Sequence, residues 1–297
     1  MMKRSAATVV AVVALFGGTT AAQDTPPEYQ QVLTTLGKTG DFKDNVLKVN
    51  LPRTDVKVTV AGVDTPTPFG FGGWVALTKA TDGSQVLMGD LVLLEDEVNP
   101  VMSALLENGF DVTALHNHFF KDQPHMFYMH VHGHGAAADL ARRLKPVVDL
   151  IGKGRAAVPQ TSTNQLDTAK LAQIVGHAGE QSGAVYKITI GRDDLKMTEI
   201  NAAINAHIGL NTWAAFTGTN DKAAIAGDVA MIASEVTPVL KALRQHGLEV
   251  VAIHHHMASD RPMVIFLHYW GAGSADKLAT GFTAALNELG KHGASTQ

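Results

Sequence analysis

The chain has no cysteine. That excludes disulfides, thiolate metal ligands, a cysteine nucleophile and an acylated N-terminal cysteine. Three common catalytic signatures are also missing: a phosphate-cradling P-loop, a His-Glu-x-x-His zinc motif and a Gly-x-Ser-x-Gly nucleophile elbow. Gly70-Phe71-Gly72-Gly73 reads as a turn and not as a dinucleotide fingerprint. Membrane-spanning runs are lacking too. Ala6–Phe16 is apolar but falls well short of the roughly 20 residues needed to cross a bilayer.

That short run has a different meaning. It follows Lys3 and Arg4 and precedes the small residues Thr20-Ala21-Ala22, the layout of a secretory signal peptide cleaved near Ala22. The layout predicts a periplasmic or secreted protein, mature from about Gln23, with no stable membrane insertion after cleavage. Without disulfides an exported chain must rely on its core, and 45% hydrophobic content over 297 residues is enough to build one. The net charge is −4, and more negative once Lys3 and Arg4 are removed. This argues against nucleic acid or an anionic membrane surface as a partner.

What the chain does have is histidine, fourteen in all, ten of them within 116–134 or 254–268. They mark an internal duplication. Leu115-His116-Asn117-His118 lies 138 residues before Ile253-His254-His255-His256, and the same offset carries Gly89-Asp90 onto Gly227-Asp228. It also carries Glu97 onto Glu235, Pro100 onto Pro238, Gly109 onto Gly247, Asp122 onto Asp260, Pro124 onto Pro262 and His130 onto His268. Upstream the offset becomes 139, pairing Arg53 and Asp55 with Arg192 and Asp194, and Trp74 with Trp213. The organisation expected is a leader over 1–22, a first repeat over 23–151, a linker over 152–165 rich in Gly, Ser, Thr and Pro, and a second repeat over 166–297.

Each repeat opens with a short amphipathic helix carrying Val32, Leu33 and Leu36, or Leu171, Ile174 and Val175. Val46 to Val60 alternates like a strand pair, with a weaker counterpart from Ala184 to Met197. Trp74–Leu77 and Gln85–Leu94 read as a hairpin turning at Thr81-Asp82-Gly83. A helix capped at Asn99 or Thr237, with Pro100 or Pro238 in its first turn, should end at Gly109 or Gly247. A second hairpin, Asp111–Phe120 and Met126–Gly133, precedes a closing helix from Ala136. The pattern predicts an α+β fold, a tandem duplication of an antiparallel-strand and helix unit packed about a pseudo-twofold axis.

The second hairpin carries the chemistry. Strand alternation puts His116 and His118 on one face and Leu115 and Phe119 on the core side. On the returning strand Phe127, Met129 and Val131 are apolar. Matching the apolar sets brings His130 to the face of His116, directly opposite it, with a turn over Lys121–His125. In the second repeat the same parity groups His254, His256 and His268. Three imidazoles so placed can ligate one ion and leave a position open, the arrangement of a catalytic site. Imidazole ligation predicts a divalent transition metal, zinc first, with copper, nickel or iron also suited. His125, His132 and His134 occur only in the first repeat and would enrich it, whereas His255 falls on the apolar side.

Glu97 is the candidate general base, although an acid opening a helix also serves the helix dipole. Asp90 and Asp228 read as turn or capping residues, Trp74 and Trp213 as core anchors, Asp122 and Asp260 as turn residues. Arg53–Asp55 and Arg192–Asp194 read as ion pairs within each repeat.

The segment Gly-Asp…Glu-x-x-Pro…Ala-Leu-His-Asn-His…Pro…His-x-His-Gly (89–133), with Pro-Arg-x-Asp (52–55), resembles the bacterial LppY/LpqO family of exported proteins, defined by a domain of unknown function. The resemblance spans the whole mature chain and implies no particular activity. It departs from the lipoprotein members in having no cysteine to acylate, which implies a protein free in the periplasm or medium. Together these features point to a metal-dependent hydrolase or lyase acting on a small-molecule or oligomeric substrate. The alternatives are a periplasmic metal buffer and a carbohydrate- or protein-binding module.

Overall fold

The structure, a computed structural model, describes residues 24–159, 164–257 and 260–291. The expected leader lies outside the described residues. The first repeat runs α1 (Pro27–Leu36), β1 (Gly40–Lys43), β2 (Val46–Pro52), β3 (Val58–Val60), β4 (Val63–Thr65), β5 (Gly72–Lys79), β6 (Gln85–Leu94), α2 (Glu95–Glu107), β7 (Asp111–His116), β8 (Asp122–Gln123), β9 (Met126–Gly135) and α3 (Ala137–Val148). The second runs α4 (Thr168–Val175), β10 (Glu180–Ser182), β11 (Val185–Gly191), β12 (Met197–Glu199), β13 (Ala202–Ile204), β14 (Asn211–Gly218), β15 (Ala223–Met231), α5 (Ala233–Gln245), β16 (Glu249–His255), β17 (Ile265–Gly273) and α6 (Ala275–Leu286).

Each repeat folds into a six-stranded antiparallel sheet with the same order, β1-β2-β5-β6-β9-β7 and β10-β11-β14-β15-β17-β16. The chain is therefore a tandem-duplicated α+β fold. One face of each sheet is covered by its own helices. Leu47, Val75, Leu87, Met129 and Val131 pack with Val32, Val101, Leu140 and Leu144, and Ile188, Phe216, Val229 and Leu267 pack with Leu171, Leu243 and Phe282.

The other faces meet each other. Val46, Ala76 and Met88 share a core with Leu210, Ala230 and Phe266. Val92, Phe119 and Tyr128 share another with Ala215, Ala226 and Trp270. The result is four layers, helix, sheet, sheet, helix, with the two repeats related back to back. Because both faces of each sheet are covered, β6 and β15 are buried almost throughout.

Several local expectations shift. Val46–Val60 is not a strand pair: β2 lies between β1 and β5, while β3 joins a small sheet with β4 and β8. The helix expected from Asn99 begins at Glu95, with Pro100 inside it. Glu97 sets that start, since its Oε2 accepts the Leu94 N–H at 2.8 Å, and Glu235 does the same for Ile232 at 2.9 Å. The histidine hairpin pairs His116 with Tyr128 instead of His130, which is matched to Ala114. A slip of two residues preserves the facing of every side chain. Its strand stops at His116, and Leu115 and Ile253 are 42% and 50% exposed instead of buried, because β7 and β16 are edge strands that the helices only partly cover.

Candidate metal centre between the sheets

Cross-strand register builds a row on the inner face of each sheet. Trp74, Asp90 and His130 are consecutive partners across β5, β6 and β9. Trp213, Asp228 and His268 repeat the row across β14, β15 and β17. Directly opposed residues point to the same side, so each row aims a ring, a carboxylate and an imidazole at the other sheet. Gly89 and Gly227, preceding the acids, keep the outer face thin. A Cβ at Gly89 would sit 2.7 Å from Val75 and 2.8 Å from Val131, and one at Gly227 would collide with the Tyr269 hydroxyl and the Trp213 carbonyl. Asp90 and Asp228 are thus mid-strand residues facing the site. The turn or capping role read for them is corrected.

All six histidines of the two motifs converge into one cluster at the seam between the repeats. The His116 ring lies 4.0 Å from that of His254 and 5.0 Å from that of His268, centroid to centroid. His118 lies 3.5 Å from His268, and His130 3.6 Å from His256. His254 Nε2 and His268 Nε2 are 2.8 Å apart. Two groups of three could hold an ion: His116, His254 and His268, and His130, His254 and His256. In each, the ligand atoms all lie within 4.8 Å of one another. Both draw on both repeats, whereas the sequence suggests one triad within each.

The donor set fits a metal on two further counts. Burial, reinforced by neighbouring imidazoles, holds the rings neutral: His116 is pushed down to about 2, and His118, His130, His256 and His268 well below the usual value. Burial likewise pushes His254 down to about 4. Neutral imidazole is the ligating form. In addition, both ring nitrogens of His116, Nε2 of His118 and of His130, and Nδ1 of His268 are buried with no hydrogen-bond partner among the described residues. Buried polar atoms are seldom left unpaired without a functional reason.

Beside the cluster is a cavity of about 470 Å³, lined by His118, His256 and His268, by Asp90 and Asp228, by Lys48 and Lys187, and by Trp74 and Trp213. The tryptophans are wall residues of this cavity as well as packing anchors. Asp90 Oδ1 is 3.7 Å from His130 Nε2, and Asp228 Oδ1 is 3.9 Å from His268 Nδ1. Burial raises Asp90 to about 7, partly offset by the two lysines, and raises Asp228 well above the carboxylate range.

Glu97 is placed elsewhere. Its carboxylate receives Arg53 Nη1 at 2.6 Å, the Leu94 N–H and, at 2.8 Å, the Gly152 N–H. Arg53 in turn grips Asp55 through Nε and Nη2, at 2.8 and 2.7 Å. Arg192, Asp194, Glu235 and Gly290 repeat the arrangement. With its oxygens so engaged, Glu97 has the chemistry of a structural anchor and not of a free base. The accessory histidines also have their own partners. His125 bonds Asp122 at 2.8 Å, His134 bonds Ser84 at 2.6 Å, and His132 lies 3.6 Å from Glu199. Asp122 and Asp260 tie their loops by accepting the Met126 and Val264 N–H groups. His255 is exposed.

Lys48 and Lys187 escape a reading centred on histidine. The signal for them was available, since they stand 139 residues apart like the tryptophans, two positions before a residue facing Trp74 or Trp213 in the next strand.

The sequence model of one protein family matches the chain twice, over residues 30–150 and 169–288. The chain belongs to that family, Domain of Unknown Function (DUF1259). The two DUF1259 copies are the two sheets with their helices, and the candidate site lies between them. No curated protein matches the chain. Among solved structures it is similar to a double-ringed trimeric shell protein from the RMM microcompartment, with 13% identity and a TM-score of 0.19, over 71% of this chain and 84% of that one. It is also similar to EtuB from Clostridium kluyveri, with 6% identity and a TM-score of 0.21, over 84% and 89% of the two chains. Neither likeness informs the site. Among the described residues no helix is long and apolar enough to cross a membrane.

Proposed function

We propose that this DUF1259 protein is an exported metalloprotein of the LppY/LpqO type, holding a divalent transition ion, zinc first, at the seam between its repeats. The observation that supports this is the convergence of six neutral imidazoles, four buried and two half-buried, several with unpartnered nitrogens, beside a cavity. Zinc, copper and nickel all suit an imidazole-only set. Bound there, the ion supplies Lewis acidity at the wall of the cavity, which suits hydrolase or lyase chemistry on a small molecule or the end of an oligomer. Asp90, facing both His130 and the cavity, is the carboxylate placed to exchange a proton with a substrate, and Glu97 has no part in the reaction.

The test is elemental analysis of the mature protein made without a histidine tag. One tightly held ion per chain, removed only by a strong chelator, is the expected result. A protein that emerges empty and takes up no added zinc, copper or nickel would sink the proposal. The number of rings favours one rival, a non-catalytic metal buffer, since six imidazoles exceed what a single tetrahedral ion uses. Several weakly held ions per chain would favour that rival. Ligand binding indifferent to chelation would favour a carbohydrate- or protein-binding module.

A further inference from the structure

Lys48 on β2 and Lys187 on β11 reach the same cavity from opposite sheets. Lys48 Nζ lies 4.6 Å from the Trp74 ring centroid, and Lys187 Nζ lies 4.1 Å from that of Trp213. Among the described residues neither ammonium has a hydrogen-bond or ion-pair partner. Each therefore rests on an aromatic face, a weaker partner than a carboxylate. Asp90 and Asp228 line the same space without reaching either lysine. Asp41, Asp90 and Asp228 offset these charges only from beyond ion-pair distance, so two like charges share a half-enclosed cavity without a contacting carboxylate, which is costly to the folded protein. A ligand that places negative oxygens between them removes that cost.

We propose that Lys48 and Lys187 form a two-sided cradle for an oxyanion, a carboxylate or a phosphate, on a small-molecule ligand. The ligand's other end is free to reach His118, His256 and His268, which line the same cavity. The volume, about 470 Å³, suits a small molecule and not a folded macromolecule. Asn50, Thr189 and Asn211 line the same cavity and add neutral hydrogen-bonding groups. Treating the anion as a substrate's handle rests on the metal-site reading, but the cradle itself does not.

The probes are inorganic phosphate and succinate, titrated by calorimetry and tryptophan fluorescence into protein stripped of metal, so that coordination to an ion cannot supply the signal. Elemental analysis is run on the same preparation before stripping. Saturable one-to-one binding is expected for at least one probe. Lys48→Met and Lys187→Met should each weaken it by about tenfold or more, roughly 1.4 kcal/mol. Lys48→Arg and Lys187→Arg, which keep the charge, should retain it. Near-UV circular dichroism matching the wild type confirms that each variant is folded. A preference for either probe supports the cradle and names the oxyanion. No saturable binding of either probe, or Met variants that bind as tightly as wild type, overturns it. Lysine-dependent binding by a protein that never held metal keeps the cradle and removes the metal reading. Bound metal with no anion binding does the reverse.

Discussion

His254 and His268 face each other Nε2 to Nε2 across 2.8 Å, a separation at which two neutral imidazoles must share a single proton or a single ion. His254 is also the ring common to both possible ligand groups. His254→Ala is therefore expected to lower bound metal by about tenfold or more. His125→Ala, whose ring is tied to Asp122 in a loop, should leave it unchanged. Metal content per folded molecule, measured for both variants alongside wild type, checks the contrast.

Glu97→Gln should act on stability and not on chemistry. Arg53 is 2% exposed, and Glu97 is the carboxylate that joins it to the start of α2 and to Gly152. Removing one partner of a buried ion pair costs about 3–5 kcal/mol, with the low end expected here because Asp55 remains. Urea unfolding should show that loss, while the folded fraction keeps its metal. Full stability combined with lost metal would return Glu97 to the site.

The metal-free protein should weaken in mild acid. The six buried or half-buried imidazoles hold folded values far below those of exposed histidine, with His116 near 2 and His254 near 4. As pH falls below about 6.5 the unfolded chain takes up protons that the folded chain refuses, so stability drops. The raised Asp90 and Asp228 carboxyls, which take up protons in the folded chain first, work in the opposite direction but offset only part of a fall driven by six rings. Thermal melts between pH 8 and 5 in the presence of a chelator should show a steady fall. A melting temperature flat across that range would contradict the burial of these rings.

Lys187→Met should raise the melting temperature. Burial, with Lys48 adding repulsion, pushes the Lys187 ammonium down to about 8, which marks a charge that Asp228 and Asp90 compensate only in part. Replacing it with an apolar side chain of similar length removes that strain. The gain in scanning calorimetry should accompany the loss of anion binding. A variant that loses stability would mean that Lys187 holds the fold together.

The duplication, the helix ends at Gly109 and Gly247, the hairpin through Gly83 and the common facing of His116 and His130 were all legible, because they depend on local periodicity and turn chemistry. The packing of sheet against sheet was not legible. The inner-face positions Val46, Ala76, Met88 and Val92 read as ordinary strand residues, and only the fold shows that they cover the other repeat. The same blindness left Asp90 as a turn residue and Trp74 as a core anchor. Trp74 and Asp90 face each other within one hairpin, but His130 joins their row only through the long-range pairing of β6 with β9. Leu115 and Ile253 misled in the opposite direction, since alternation gives a side chain's face but not whether that strand lies at the sheet edge.

The ligand groups that combine His116 with His254 and His268, and His130 with His254 and His256, span the seam. An ion seated there acts as a clasp, so its release and the parting of the two repeats become one linked equilibrium. Tethering on a single chain holds the opposing imidazoles at a high effective concentration that two separate copies would lack. It also frees the two copies to diverge, as Asn50 opposite Trp74 and Thr189 opposite Trp213 already have. A ligand in the proposed cradle would thereby meet different neutral groups from the two sheets.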